Sequence, residues 1–204
     1  MTSDSPDSPS PSIPIAEAKR AARLRAKAAR DALDPTGAGG DLADIFFREF
    51  PDLPKGAAIA GYWPKGSEMD VRPLLNRLVR AGHSVGLPVV LGKGRPLLFR
   101  RWSPGQPLSA GAFGILEPVP PAPEIRPDLL LVPLLAFDRS GRRLGYGAGF
   151  YDRTLAILRE GGGSVTALGV GYAAQEVDLV PCDVYDAPLD GIVTERGSIR
   201  VEKG

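Results

Sequence analysis

Apolar positions along the chain follow two rhythms. In DLADIFFREF, Leu42, Ile45, Phe46 and Phe50 recur at helical spacing, with Asp41 placed to cap the helix. DVRPLLNRLVRAG reads as a second helix, with Asp70 at the N-cap, Pro73 in the first turn and Gly82 at the stop. On either side of it, AAIAGYW (57–63) and HSVGLPVV (83–90) read as strands. Strand–helix–strand is the signature of a parallel α/β sheet. LGKGRPLLFRRW predicts a turn and another strand, and the proline- and glycine-rich residues 103–127 an irregular excursion with GAFGILEP in its middle. LLLVPLLAF (129–137) is a continuous apolar run, as expected of a central strand buried on both faces. A helix follows from near Phe150 through YDRTLAILRE to a triple-glycine stop, then strands at TALGVGY (166–172) and, last, DGIVTE (190–195).

The start of the chain has a different pattern. Residues 1–14, rich in Ser, Pro and Asp, cannot build a core and are expected to form a disordered tail, which leaves a single domain over 15–204. Residues 15–33, IAEAKRAARLRAKAARDAL, have strong helix propensity. At 100° per residue Lys19, Arg23, Lys27 and Arg30 share one narrow arc, which is either a solvated face or a phosphate clamp.

Composition narrows the chemistry. A chain of 204 residues with net charge +1 fits one core, and its overall field argues for neither nucleic acid nor membrane. No run is long enough to span a bilayer and no signal pattern opens the chain, so a cytoplasmic protein is expected. Cys182 and His83 are each the single residue of their kind, which excludes an internal disulfide, a multi-cysteine zinc site and a two-histidine zinc site. Catalysis is left to carboxylates, arginines, lysines, tyrosines, a metal or the substrate itself.

GRRLGYGAGFYDR (141–153) concentrates such groups. It lies between the apolar strand and the helix near Phe150, where ligands bind beyond the carboxyl ends of parallel strands. Glycines at 145, 147 and 149 let backbone N–H groups turn toward an anion, the helix adds its positive end, and Arg142 and Arg143 are at hand for phosphate. Asp152 either complements the helix dipole or shares a divalent cation with the phosphates. The spacing is neither the dinucleotide fingerprint nor a P-loop.

Taken together, LLLVPLLAFDRSGRRLGYGAGFYDRTL, the KRAAR segment at 19–23 followed by RDAL, then YWPKGSEMD, GLPVV, FGILEP and VPCDVYDAPLDGIVTE resemble the 5-formyltetrahydrofolate cyclo-ligase family over nearly the whole chain after residue 14. The resemblance implies a three-layer, Rossmann-like α/β fold with a mostly parallel central sheet flanked by helices. It implies cyclisation of 5-formyltetrahydrofolate to 5,10-methenyltetrahydrofolate with ATP as co-substrate and Mg²⁺ as cofactor, releasing ADP and phosphate. On that route the formyl oxygen attacks the γ-phosphate, N10 attacks the activated carbon, and phosphate leaves. The nucleophiles belong to the substrate, so the protein positions ligands and stabilises charge.

Carried over by position, the resemblance assigns ATP binding to Lys19, Arg23, Arg143, Leu144, Gly145, Tyr146, Gly147, Ala148, Gly149, Phe150, Tyr151 and Asp152. It assigns catalysis to Arg143 and Asp152, metal binding to Asp152 and Asp186, and folate binding to Trp63, Glu68 and Phe113; core or rim packing is the plainer reading of the two aromatics. Ala148 stands where many members carry lysine or glycine, and Tyr185 where histidine is common. A monomer acting on small molecules, without nucleic acid or membrane, is expected. A catalytically altered folate- or nucleotide-binding paralogue is the alternative.

Overall fold

A computed structural model describes residues 14–160 and 163–201. Of the expected N-terminal tail only Pro14 falls among them, and residues 161 and 162 of the expected triple-glycine stop lie outside them.

The basic segment forms helix α1 (Ile15–Asp31). Helix α2 (Ala38–Glu49) begins three residues before Asp41, behind Gly37 at the N-cap; the turn from Pro35 to Ala38 (N–H to carbonyl 3.2 Å) starts it early. Asp41 therefore lies inside the first turn, where its charge meets the helix dipole rather than capping it. Strand β1 (Ala58–Ala60) leads to helix α3 (Arg72–Arg80) and strand β2 (Ser84–Val90), which runs parallel to β1 as the strand–helix–strand pattern predicts. Val71, not Asp70, is the N-cap of α3, but the Asp70 carboxylate still accepts the Arg72 N–H at 3.0 Å.

Strand β3 (Leu97–Arg101) turns back antiparallel to β2. The proline-rich excursion is more ordered than its composition implies: β4 (Leu108–Ala110) and β5 (Leu116–Pro118) form a two-stranded ribbon around a short 3-10 turn at Ala112–Gly114.

The apolar run 129–137 is not one strand. Strand β6 (Leu129–Pro133) ends at a residue without an N–H, and the Gln175 side-chain amide donates to the carbonyls of Leu134 and Leu135, both at 2.9 Å. The chain leaves the sheet there, and β7 (Ala136–Phe137) pairs antiparallel with β8 (Arg143–Leu144) in a separate ribbon. Helix α4 (Phe150–Arg159), strand β9 (Thr166–Val170) and strand β10 (Gly191–Val193) follow. DGIVTE is not the last strand, for β11 (Ser198–Arg200) pairs antiparallel with β10.

The main sheet has the order β11-β10-β9-β6-β1-β2-β3, with parallel pairs from β10 through β2 and antiparallel edges. Alternation along β6 shows both faces covered. Leu129 and Leu131 pack with Phe46, Leu74 and Leu78 of α2 and α3, while Leu130 and Val132 pack with Leu155 of α4. The result is the expected three-layer, mostly parallel α/β fold. Each such leucine buried from water contributes about 1.5–3 kcal/mol. Among the described residues no helix is long and apolar enough to cross a membrane.

Candidate active site

The β7–β8 ribbon carries the glycine loop, and Asp138 fixes the ribbon. Only 2% exposed, its carboxylate accepts the N–H of Ser140 (3.0 Å), Arg142 (3.2 Å) and Val180 (3.0 Å) and the Ser140 hydroxyl (2.6 Å). Burial alone would push its pKa up, but these donors outweigh burial and hold it low. Arg142, just before β8, is exposed while Arg143 is buried, and the neighbours do not form a double clamp.

Arg143 donates to the Asp152 carboxylate, in the first turn of α4, and to the Ala187 carbonyl. The Ala187 N–H in turn donates to Asp152 at 3.2 Å. Burial pulls the Arg143 pKa down, against the opposing pull of the Asp152 and Asp186 carboxylates. The loop beyond Arg143 exposes its backbone: among the described residues no hydrogen bond engages the N–H groups of residues 145–149. Gly147 (φ +95°) and Gly149 (φ +66°) occupy the left-handed region that side chains disfavour, which aims successive N–H groups outward ahead of the N-terminus of α4. Leu144 is buried with Ala136 and Val180 and anchors the loop from below.

The basic stripe of α1 is not a solvated face. It lies across this loop. Lys19 bonds to Asp183 (2.7 Å) and Asp186 (2.5 Å); burial lowers its pKa, but the two carboxylates raise it further. Arg23 Nε donates to the Gly145 carbonyl at 2.9 Å. Arg30 donates to the Ser67 hydroxyl at 3.0 Å and to the Tyr146 hydroxyl. Only Lys27 turns outward, to Asp31 one turn on.

Opposite the loop stands Glu68, whose carboxylate accepts the Lys65 N–H at 2.8 Å. Tyr62, Tyr146 and Tyr151 lie near it: desolvation first, then the Glu68 charge, pushes all three phenols up, and the Tyr62 hydroxyl donates to the Met69 carbonyl at 3.0 Å. Phe113 is 61% exposed with φ +60°, a strained conformation for a side-chain-bearing residue, and its ring meets Phe150 edge-on at 5.8 Å. Lys65 donates to the Phe113 carbonyl. The structure thus gathers Glu68, Phe113, Phe150 and the glycine loop. Trp63 stands apart from them: it is half-buried, and its ring meets Trp102 at 5.8 Å and Arg72 at 5.7 Å.

Three residues of this constellation were not singled out from the sequence. Arg30 belonged to the basic stripe, yet nothing in the sequence named its partners. Asp183 lies one turn of chain before Asp186 and shares Lys19 with it. Arg153 donates to the Ala148 carbonyl at 2.6 Å and packs over the Phe150 ring at 5.6 Å, which brings a guanidinium to the position where Ala148 lacks a cation.

The site's donors suit a polyphosphate and a magnesium ion. No group of three or more potential ligands gathers among the described residues, but Mg²⁺ is commonly held by one or two carboxylates with phosphate oxygens and waters completing the shell. Asp152 and Asp186, joined through the backbone at Ala187, are the two carboxylates that could serve so.

An open, mostly parallel sheet with a glycine loop beyond a strand end, faced by a carboxylate and aromatic rings, defines an α/β domain of Rossmann-like type. The family model for 5-formyltetrahydrofolate cyclo-ligases matches residues 16–195. The chain is 36% identical over 163 residues to the 5-formyltetrahydrofolate cyclo-ligase of Escherichia coli K12 (76% of this chain, 87% of that protein), and 38% identical over 152 residues to that of Mycolicibacterium smegmatis (71% and 76%). The NMR structure of Aquifex aeolicus 5,10-methenyltetrahydrofolate synthetase superposes with a TM-score of 0.74 at 32% identity, covering 91% of this chain and 94% of that one. The chain belongs to the 5-formyltetrahydrofolate cyclo-ligase family and is an enzyme of the ligase class.

Proposed function

We propose that the protein closes 5-formyltetrahydrofolate to 5,10-methenyltetrahydrofolate at the expense of ATP, with Mg²⁺, through a formyl phosphate. The observation that carries this reading is the convergence of Arg23, Arg143 and Arg153 on a loop whose N–H groups at 145–149 have no partner among the described residues. Such an arrangement suits the triphosphate, with Lys19 alongside. Asp152 and Asp186 would hold Mg²⁺, which supplies neutralisation of phosphate charge in the transfer.

Glu68, with the Tyr146 hydroxyl beside it, suits the pterin end of the folate. A carboxylate accepts from the pterin amino and ring N–H groups, while Phe113 and Phe150 offer faces to its flat rings. Held so, the formyl oxygen attacks the γ-phosphorus and the bond to the ADP oxygen breaks. N10 then attacks the activated carbon, the carbon–oxygen bond to the phosphate breaks, and inorganic phosphate departs with the proton that N10 gives up. Arg143 and Arg153 stabilise the charge that builds on the transferred group. The small-molecule ligands leave no role for nucleic acid or membrane, and we expect a cytoplasmic monomer with Trp63 at the rim of the folate site.

Arg153 beside Ala148 weighs against a paralogue that binds without turnover, since it supplies the cation that the loop itself lacks. The test is spectrophotometric. Protein mixed with 5-formyltetrahydrofolate should develop the near-ultraviolet band of the methenyl product only with ATP and Mg²⁺ together. Binding of both ligands without the band would establish the paralogue instead.

A further inference from the structure

Arg30 is the least expected charge in the molecule. It is 4% exposed, at the C-terminal end of α1, and it forms no ion pair among the described residues. A buried guanidinium with only neutral partners is costly unless those partners pass the charge on. Both do. The Ser67 hydroxyl, which accepts from Arg30 Nε at 3.0 Å, donates to Asp31. The Tyr146 hydroxyl, which accepts from Arg30 Nη1, faces Glu68, and its ring lies 5.6 Å from the guanidinium carbon.

These two partners belong to the two halves of the site. Ser67 immediately precedes Glu68 in the turn that carries the proposed folate carboxylate. Tyr146 lies in the glycine loop, between the left-handed glycine at 147 and Gly145, whose carbonyl Arg23 holds at 2.9 Å. One side chain from a third element therefore fixes the distance between both ligand-bearing segments.

We propose that Arg30 is a positioning residue which, through Tyr146 and Ser67, couples occupancy of the glycine loop to occupancy of the Glu68 turn, so that each ligand raises the affinity for the other. The inference rests on the function proposed above. Nucleotide on the loop fixes the Tyr146 hydroxyl. That hydroxyl then holds Glu68 in the orientation the pterin needs, and the effect is reciprocal because both ligands stabilise one arrangement.

The variant of choice is Tyr146→Phe, which removes one oxygen atom and keeps the ring. Binding of 5-formyltetrahydrofolate is measured by calorimetry with and without a non-hydrolysable ATP analogue and Mg²⁺. In the wild type the analogue should tighten folate binding by about 5-fold or more, the lower range of ordinary coupling. In Tyr146→Phe the ratio should fall to near one, whatever the affinity for the analogue alone. Arg30→Lys, which keeps the charge but not the fork, should abolish the ratio as well. A merely structural role would instead lower both affinities and leave the ratio intact, and that outcome overturns the proposal. A wild-type ratio of one with both ligands bound overturns the coupling alone. Failure of the wild type to bind either ligand overturns the functional reading and the coupling with it.

Discussion

Arg143 and Asp152 close a ring across the glycine loop: the guanidinium of the strand before it donates to the carboxylate of the helix after it. The loop is thereby fixed at both ends by a cation that suits phosphate and an acid that suits magnesium. Each satisfies the other, so neither charge is left bare. Asp152→Ala should lose magnesium-dependent turnover by about 100-fold or more, the scale of losing one transition-state contact. Circular dichroism should report an intact fold. Unchanged turnover would take Asp152 out of the site.

Glu68→Gln keeps the shape of the side chain and replaces an acceptor-only carboxylate with an amide. Folate affinity should fall about 10-fold, near 1.4 kcal/mol, while affinity for nucleotide alone changes little. Calorimetric titration of each ligand separately decides the matter. Equal losses for both would make Glu68 a structural residue of its turn.

The loop glycines should not be equivalent. A Cβ on Gly149 would lie 2.7 Å from an Arg153 nitrogen, and one on Gly147 3.2 Å from the Arg23 guanidinium carbon, both at positive φ; one on Gly145 meets open space. Gly147→Ala and Gly149→Ala should each cost about 1 kcal/mol or more in backbone strain and displace an arginine from the loop. Gly145→Ala should leave stability unchanged. Thermal midpoints of the three variants, with nucleotide affinity beside them, give the ranking; equal behaviour of all three would refute it.

Stability should depend on Asp138 in acid. Its folded pKa lies below the ordinary 3.8, because donors from Ser140, Val180 and Arg142 outweigh burial. A depressed carboxylate contributes stability that is present above its unfolded pKa and lost as pH falls through the folded one. The denaturant midpoints of wild type and Asp138→Asn should therefore differ by a constant amount at neutral pH. The gap should narrow below pH 3.8. A gap that persists unchanged at pH 2 would contradict the assignment of the charge as its source.

Local pattern was enough to read the sheet's central strands and the helix α3 between β1 and β2. It failed where tertiary partners decide. Hydropathy cannot separate Leu129–Pro133 from Ala136–Phe137, since both are buried; the Gln175 amide, 40 residues away in sequence from Leu135, is what bonds the chain as it leaves the sheet. Composition hid the β4–β5 ribbon because its pairing runs across a turn rich in residues that usually break structure. Arg153 was invisible as a site residue for a similar reason. Its position after Asp152 is plain, but only the folded loop brings it to the Ala148 carbonyl.

Helix α1 has a further consequence. Its buried residues are Lys19 and Arg30, and the face it turns inward is otherwise mostly alanine. It is attached to the domain more by charge than by oil. Such a helix has little of its own to resist opening, and its amides should exchange with solvent before those of the strands beneath it. Salt would loosen it while the core stays shut. Because three of its cations reach the site, the helix that opens most readily is also the one a bound anion would hold down, and slowed hydrogen exchange across residues 15–31 would record the presence of nucleotide without any turnover.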